Sequence, residues 1–351
     1  MTATRPFQEI IERAQGLPPI RLAVVNAAQR VVLETLREAT ALGLVAPHLI
    51  GERRAISDVA AKTGWPIDSV SITEAGDEAT AAALGVTLVR EGRAGALMKG
   101  LVHTDALMHA VLDAHRGLRV PGRRVSHAFV CHVPSYPKLL IVTDAAINIA
   151  PDLSAKAQIL QNAVELARMV GVAAPKVAVL SAVETVNPAI ASTLDAAALT
   201  LMARRGQIAA GASVDGPLAF DNAVSRTAAG EKSIVSAVAG DADILLVPDL
   251  VSGNMLAKSL EYLAGAVAAG VVLGLSAPVV LTSRADPAAA RLAALALAVL
   301  QHADGEAIGE RTSDEEPTVH CLPQRESACC PLSRQVPELP PPIQAVERAP
   351  H

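Results

Sequence analysis

From about residue 20 to residue 301 the chain alternates short apolar runs with longer segments whose apolar positions recur at helical spacing. No other feature restricts the fold as much, because strand, helix, strand units lay their crossovers over a largely parallel sheet and so predict an α/β fold. The first predicted strands are 21–26, 46–51, 69–74 and 94–99, the last reading AGALMK. Between the first two, AAQRVVLETLREATALG reads as a crossover helix that closes on Gly43 as its C-cap. After Gly122, VSHAFVCHV and LLIVTDAAINI are separated only by PSYPK, which predicts a hairpin and therefore a mixed sheet. Beyond it the pattern predicts helix 154–170, strand 176–181, helix 188–204, strand 206–211, strand 243–248, helix 254–268, paired runs at 270–275 and 278–282, and helix 287–300.

With 351 residues, 51% hydrophobic and only 2% aromatic, the chain has material for two α/β domains cored by Ala, Val, Leu and Ile. A net charge of -5 gives no general attraction to nucleic acid or to an anionic membrane. The first twenty residues mix acids and bases and contain no continuous apolar signal segment, so a cytoplasmic protein is expected. The apolar stretch 263–281 approaches membrane-span length but is broken by Gly265, Gly270, Gly274 and Pro278. Cys131 lies in an apolar run and Cys321, Cys329 and Cys330 lie near the C-terminus, a pattern that predicts reduced thiols rather than a disulfide framework. After His302 the sequence is rich in proline and charge without apolar period, so 302–351 is expected to be a disordered tail. Its His320 and three cysteines match no common zinc spacing, and no metal is expected.

Several catalytic signatures are missing. No GxGxxG follows the first strand, and GEKS at 230–233 lacks the upstream glycine of a phosphate-binding loop. HExxH and GxSxG are also absent, which removes the usual nicotinamide, ATP, zinc-peptidase and hydrolase readings.

The informative stretch is PVVLTSRADPAAARL, residues 278–292. A buried strand ends at Thr282 and a helix opens near Pro287, so Ser283, Arg284 and Asp286 occupy a loop at a strand's carboxyl end, where open α/β sheets bind ligands. Arg284 offers a forked donor for phosphate oxygens, and the helix N-terminus adds N–H donors. A purely structural reading stands beside this one: Asp286 before Pro287 also has the form of a helix cap.

LTSRAD at 281–286, DGPLAFDNAVS at 215–225 and PDLVSGNMLAKSLEYLAG at 248–265 resemble the phosphate acetyltransferase and phosphate butyryltransferase family. MKGLVHTDALMHAVL at 98–112 and the segment 122–153 are similar to its butyryltransferase branch and to the transferase half of enoyl-CoA hydratase fusions, so a stand-alone transferase is expected. The resemblance implies two α/β domains of the isocitrate/isopropylmalate dehydrogenase-like type. The first would take 1–120 and 276–301, the second 121–275, with the active site between them. It implies exchange of an acyl group between acyl-CoA and inorganic phosphate, giving acyl phosphate and CoA, without a cofactor. A homo-oligomer is also expected.

In the same terms Arg284 would hold phosphate, Ser283 would donate to a phosphoryl or carbonyl oxygen, and Asp286 is the nearest carboxylate for the base. Acetyl-specific relatives carry an Asp further along this helix, where Ala290 stands here. His103, Thr104 and Asp105 follow another strand end and are candidates for substrate contact, and His109 occupies a position of arginine in butyryl-type relatives. Asn254 and Lys258, one helical turn apart, address CoA phosphates or form a solvated face. Asp215, Gly216 and Pro217 shape the CoA side of the cleft or form a simple turn. His127 and His132 fall on opposite faces of one strand and are read as structural. The contrasting readings are a non-catalytic module sensing CoA or acyl phosphate, as in the related C-terminal region of some malic enzymes, and a dehydrogenase of the same fold. The intact SRAD sequence opposes the former, and missing metal-binding aspartates oppose the latter.

Overall fold

The computed structural model describes residues 7–282 and 286–314, with side chains through residue 305. Helix α1 (Gln8–Gln15) precedes β1 (Ile20–Val25), α2 (Arg30–Ala41), β2 (Val45–Ile50), α3 (Arg53–Thr63), β3 (Ser71–Thr73), α4 (Glu78–Arg90), β4 (Ala96–Lys99) and α5 (Thr104–Leu112). The hairpin β5 (Ser126–His132) and β6 (Leu140–Thr143) leads into α6 (Leu153–Met169), β7 (Lys176–Leu180), α7 (Ala191–Arg204), β8 (Ser213–Leu218), α8 (Phe220–Val224), α9 (Arg226–Glu231) and β9 (Ile244–Leu246). The chain continues through α10 (Leu250–Tyr262), β10 (Val267–Leu273), β11 (Val279–Val280) and α11 (Ala288–Asp314).

Among the described residues all eleven strands join one mixed sheet in the order β3-β2-β1-β4-β11-β10-β5-β6-β9-β7-β8. β1, β2, β3, β4 and β11 run parallel to one another, and β6, β9, β7 and β8 form a second parallel set. The antiparallel strands β10 and β5 join the two sets, so their carboxyl ends face opposite edges of the sheet. The described residues up to 307 form one body.

The crossover pattern buries most strands on both faces. On β1, Leu22 and Val24 face α2 and α11, whereas Ala23 and Val25 pack with α4. Two-sided burial explains why these strands read as continuous apolar runs. Each fully buried Leu or Val contributes roughly 1.5–3 kcal/mol. α4 can approach closely because Gly85 faces the sheet: a Cβ there would stand 2.7 Å from Leu97 Cδ1 and 2.8 Å from Val25 Cγ2.

Four boundaries differ from the sequence expectation. The run 206–211 is a turn, with Gly206, Ala209 and Gly211 at φ of 70°, 54° and 75°; its apolar residues pack without making a strand. The strand is β8 instead, and it contains the Asp215-Gly216-Pro217 run that reads as a turn, because an edge strand tolerates a proline without N–H. α10 starts four residues before position 254, since Asp249 caps it by accepting the Ser252 N–H at 2.8 Å. α11 runs through Asp314 rather than ending at 300, so the expected disordered tail does not begin at 302. Nothing in QHADGEAIGERTSD breaks a helix before Pro317. Residues 315–351, including the three C-terminal cysteines, lie outside the described residues. Among the described residues no helix is long and apolar enough to cross a membrane.

Candidate active site

The carboxyl ends of β1 and β4 are clasped together. Asn26, in the left-handed region at φ 52°, donates its side-chain amide to the Leu101 carbonyl, while Leu101 N–H returns a bond to the Asn26 carbonyl at 2.7 Å. Asparagine tolerates that conformation better than most residues. Gly100 is required at the crossing, since a Cβ would lie 2.4 Å from the Asn26 carbonyl oxygen. The clasp delivers the chain to His103, whose backbone N–H (3.0 Å) and Nδ1 (2.9 Å) both meet Glu78 Oε2 at the start of α4. The His103 N–H and imidazole hold the Glu78 carboxyl below its ordinary range. His103 remains exposed, with its side chain 87% accessible. Thr104 and Asp105 open α5, and Asp105 lines a shallow cavity of about 350 Å³ with His109, one helical turn on. Leu112 closes that cavity and also borders a second, of about 410 Å³, edged by Arg119, Arg123 and Arg124.

β11 pairs with β4 so that Val279 stands opposite Leu97 and Val280 opposite Met98. Ser283 and Arg284 lie outside the described residues. The chain is next described at Asp286, whose carbonyl accepts from the Arg291 guanidinium. Arg291 also donates to Thr35 Oγ1 at 2.7 Å, which ties the start of α11 to α2. Asp286 shares its electrostatic environment with α10. Burial chiefly, and the Asp286 charge next, raise the Glu261 carboxyl above its ordinary value, while Lys258 opposes the shift. Burial, with a smaller contribution from Glu261, pushes the Cys131 thiol up to about 12, so that thiol is inert.

The structure therefore gathers the 103–105 segment, the end of β11, and the Asp286, Lys258 and Glu261 charges at one edge of the sheet. Asn254 points elsewhere on α10, donating to the Ala145 carbonyl at 3.3 Å. Asp215 and Gly216 are on β8, six strands from β11, roughly 30 Å away at ordinary strand spacing. A Cβ on Gly216 would stand 2.7 Å from the Val179 carbonyl oxygen, and Asp215 lines a separate cavity of about 330 Å³. His127 and His132 share no metal cluster; His127 is buried edge-on against Phe129 at 4.5 Å between ring centroids.

Sequence reasoning missed Asn26, Glu78, Glu261 and Arg291. The first three sit in helix or turn contexts that look solvated in one dimension, although Asn26 directly after a buried strand was a readable turn signal. Arg291 has no local signature because its partner Thr35 is 256 positions away.

Residues 68–299 match the family described as "Phosphate acetyl/butaryl transferase". The chain is 48% identical over 294 residues to a phosphate acetyltransferase of Rhizobium meliloti, covering 84% of this chain and 92% of that one. It is 40% identical over 296 residues to a phosphate butyryltransferase of Clostridium acetobutylicum, covering 84% of this chain and 98% of the relative. Its fold is similar to the crystal structure of a branched-chain phosphotransacylase from Enterococcus faecalis, with a TM-score of 0.71 and 31% identity over 81% of this chain and 99% of that one. By that family match and these identities, the chain belongs to the phosphate acetyltransferase and phosphate butyryltransferase family.

Proposed function

We propose that the protein moves a short acyl group between coenzyme A and inorganic phosphate by direct transfer, with CoA as a substrate and no cofactor. The observation that carries this reading is the 48% identity across 84% of the chain, which spans both the segment at 103–105 and the SRAD loop. In the direction from acyl phosphate, the CoA thiolate attacks the acyl carbon, a C–S bond forms, the C–O bond to phosphate breaks, and phosphate leaves with the electron pair. No electron transfer is involved, so the chemistry asks only for cation and N–H donors toward the developing anions and for a group to take the thiol proton.

Arg284 supplies the forked cation for the phosphate and Ser283 donates to a phosphoryl or carbonyl oxygen. Asp286 accepts the thiol proton, with Glu261 as the adjacent carboxyl that burial and the Asp286 charge hold above its ordinary value. His103, Thr104 and Asp105 meet the acyl phosphate from the β4 side, and Lys258, one turn beyond Asn254, offers its ammonium to a CoA phosphate. Asp215 and Gly216 serve packing of β8 in this reading, as the close approach of Gly216 to β7 favours. The segments 1–120 with 276–301, and 121–275, form two dehydrogenase-like α/β domains flanking a cleft. The assembly is a cytoplasmic homo-oligomer.

Arg284→Ala tests the assignment. The variant should fold with an unchanged melting temperature and lose nearly all acyl transfer, because a loop guanidinium acts on charge in the transition state rather than on the core. Normal turnover in that variant would remove the loop from the reaction.

A further inference from the structure

A cavity of about 770 Å³ lies away from the carboxyl-end site, at the opposite end of the first parallel set. It touches Ile20 and Arg21 at the amino end of β1, Gly95 just before β4, and Ala277 just before β11. The six residues of β1 separate it from the Asn26 clasp by about 20 Å at the usual strand rise.

Arg21, Arg90 and Arg119 border it together with His115 and His302, and among the described residues no Asp or Glu lines it. None of the three arginines stands within ion-pair distance of a carboxylate among the described residues. The structural role available to each is small. Arg21 donates to the Gly92 carbonyl at 2.5 Å, and Arg90 occupies the last turn of α4, where a cation complements the helix dipole. Neither contact accounts for three arginines gathered around one enclosure. A concave site lined by one sign of charge concentrates the opposite sign, and guanidinium forks match phosphate oxygens in particular. Pro18, Pro19 and Val299 supply an apolar wall, and the volume falls within the ordinary range for ligand cavities of roughly 300–1,000 Å³. Inorganic phosphate alone would leave most of it empty.

We propose that this cavity is a second binding site, separate from the acyl-transfer site, for a phosphorylated small molecule of nucleotide size, its phosphates held by Arg21, Arg90 and Arg119 and its less polar part on the proline wall. The same chemistry is carried by a free nucleoside polyphosphate and by the phosphorylated adenosine of CoA, and the two sources are distinguishable. Of the cavities described, Arg21 and Arg90 line this one alone, whereas Arg119 also borders the groove next to α5.

The test is calorimetric titration of ATP, with pyrophosphate and inorganic phosphate as smaller probes, into the full-length protein, repeated at saturating CoA and with the variants Arg90→Glu and Arg21→Gln. The proposal expects saturable ATP binding that persists at saturating CoA, weakens about tenfold or more in Arg90→Glu as a charge-assisted contact is lost, and exceeds the affinity for inorganic phosphate. Both variants should keep the unliganded rate of acyl transfer and the CoA KM. Arg21→Gln guards against misfolding of the charge reversal, since it retains a donor for Gly92. No ATP binding, ATP binding displaced by CoA, or a raised CoA KM in either variant would overturn the proposal.

Discussion

Glu78 and His103 are joined twice through one oxygen: Glu78 Oε2 accepts the His103 backbone N–H at 3.0 Å and stands 2.9 Å from its Nδ1. With a carboxylate at Nδ1, that nitrogen is the donor, which fixes the orientation of the ring at the end of β4. Since the Glu78 carboxyl is held below its ordinary range, the contact is complete at neutral pH and opens only as the pH falls through that depressed value. Glu78→Gln should lower kcat/KM by roughly 5- to 10-fold, the loss expected of one charge-assisted contact, with the melting temperature nearly unchanged. Steady-state kinetics beside a thermal melt decide it, and an unaltered kcat/KM would make the pair a surface feature only.

The carboxyls of Glu261 and Asp286 raise a different expectation. Glu261 is held above its ordinary value first by burial and then by Asp286, so removing the Asp286 charge should bring the Glu261 titration down toward the ordinary carboxylate range. Removing the Lys258 cation should move it further up. For folding, a raised carboxyl contributes stability that is present at acid pH and lost as pH rises through the raised value, so Glu261→Gln should be more stable than the parent at neutral pH. Carboxyl-detected NMR titration of the parent, Asp286→Asn and Lys258→Met checks the signs. A Glu261 titration indifferent to both would dissolve the pair.

His127 is buried on β5 with its Nδ1 lacking a hydrogen-bond partner, and burial pushes it down to about 4 despite the pull of Asp144. The unfolded chain binds the proton near 6.5, so stability is complete above that pH and falls as pH drops from 6.5 toward 4. Denaturant midpoints from pH 7 to 4 should therefore fall in the parent and flatten in His127→Phe. Parallel curves would place the acid sensitivity elsewhere.

α10 seats against the β6 turn through Gly253, where a Cβ would stand 2.8 Å from the Asp144 carbonyl oxygen and 2.7 Å from Val247 Cγ2. The neighbouring Asn254 bond to Ala145 depends on this approach. Gly253→Ala should destabilise the protein by about 1–3 kcal/mol, as overpacking against backbone does, and should also raise the CoA KM because Lys258 moves with the helix. Equilibrium unfolding with CoA saturation curves tests both parts, and a variant as stable as the parent would show that the helix shifts freely.

The alternation of apolar runs made the sheet legible because buried strands and crossover helices leave different periods in one dimension. The β5–β6 hairpin was legible through PSYPK, and the meeting of β11 with β4 followed from the return of the chain to the first parallel set. The strand at 213–218 was hidden by its own Asp-Gly-Pro run, because edge position is a property of the assembled sheet. The SRAD and HTD segments stood out through strand-end position and resemblance. Glu78, Glu261 and Arg291 did not, because each acquires its role from a partner on another element: His103 on the other side of β4, Asp286 across the β10–β11 hairpin, and Thr35 on α2.

The central claim is tested most directly by following free thiol when acetyl, propionyl or butyryl phosphate is added to the purified protein with CoA. The account predicts that thiol disappears and inorganic phosphate appears in equal amounts, that added phosphate drives the reverse reaction from acyl-CoA, and that no cofactor is required. Failure to consume thiol with every one of these acyl phosphates, in a protein shown to be folded, would contradict it.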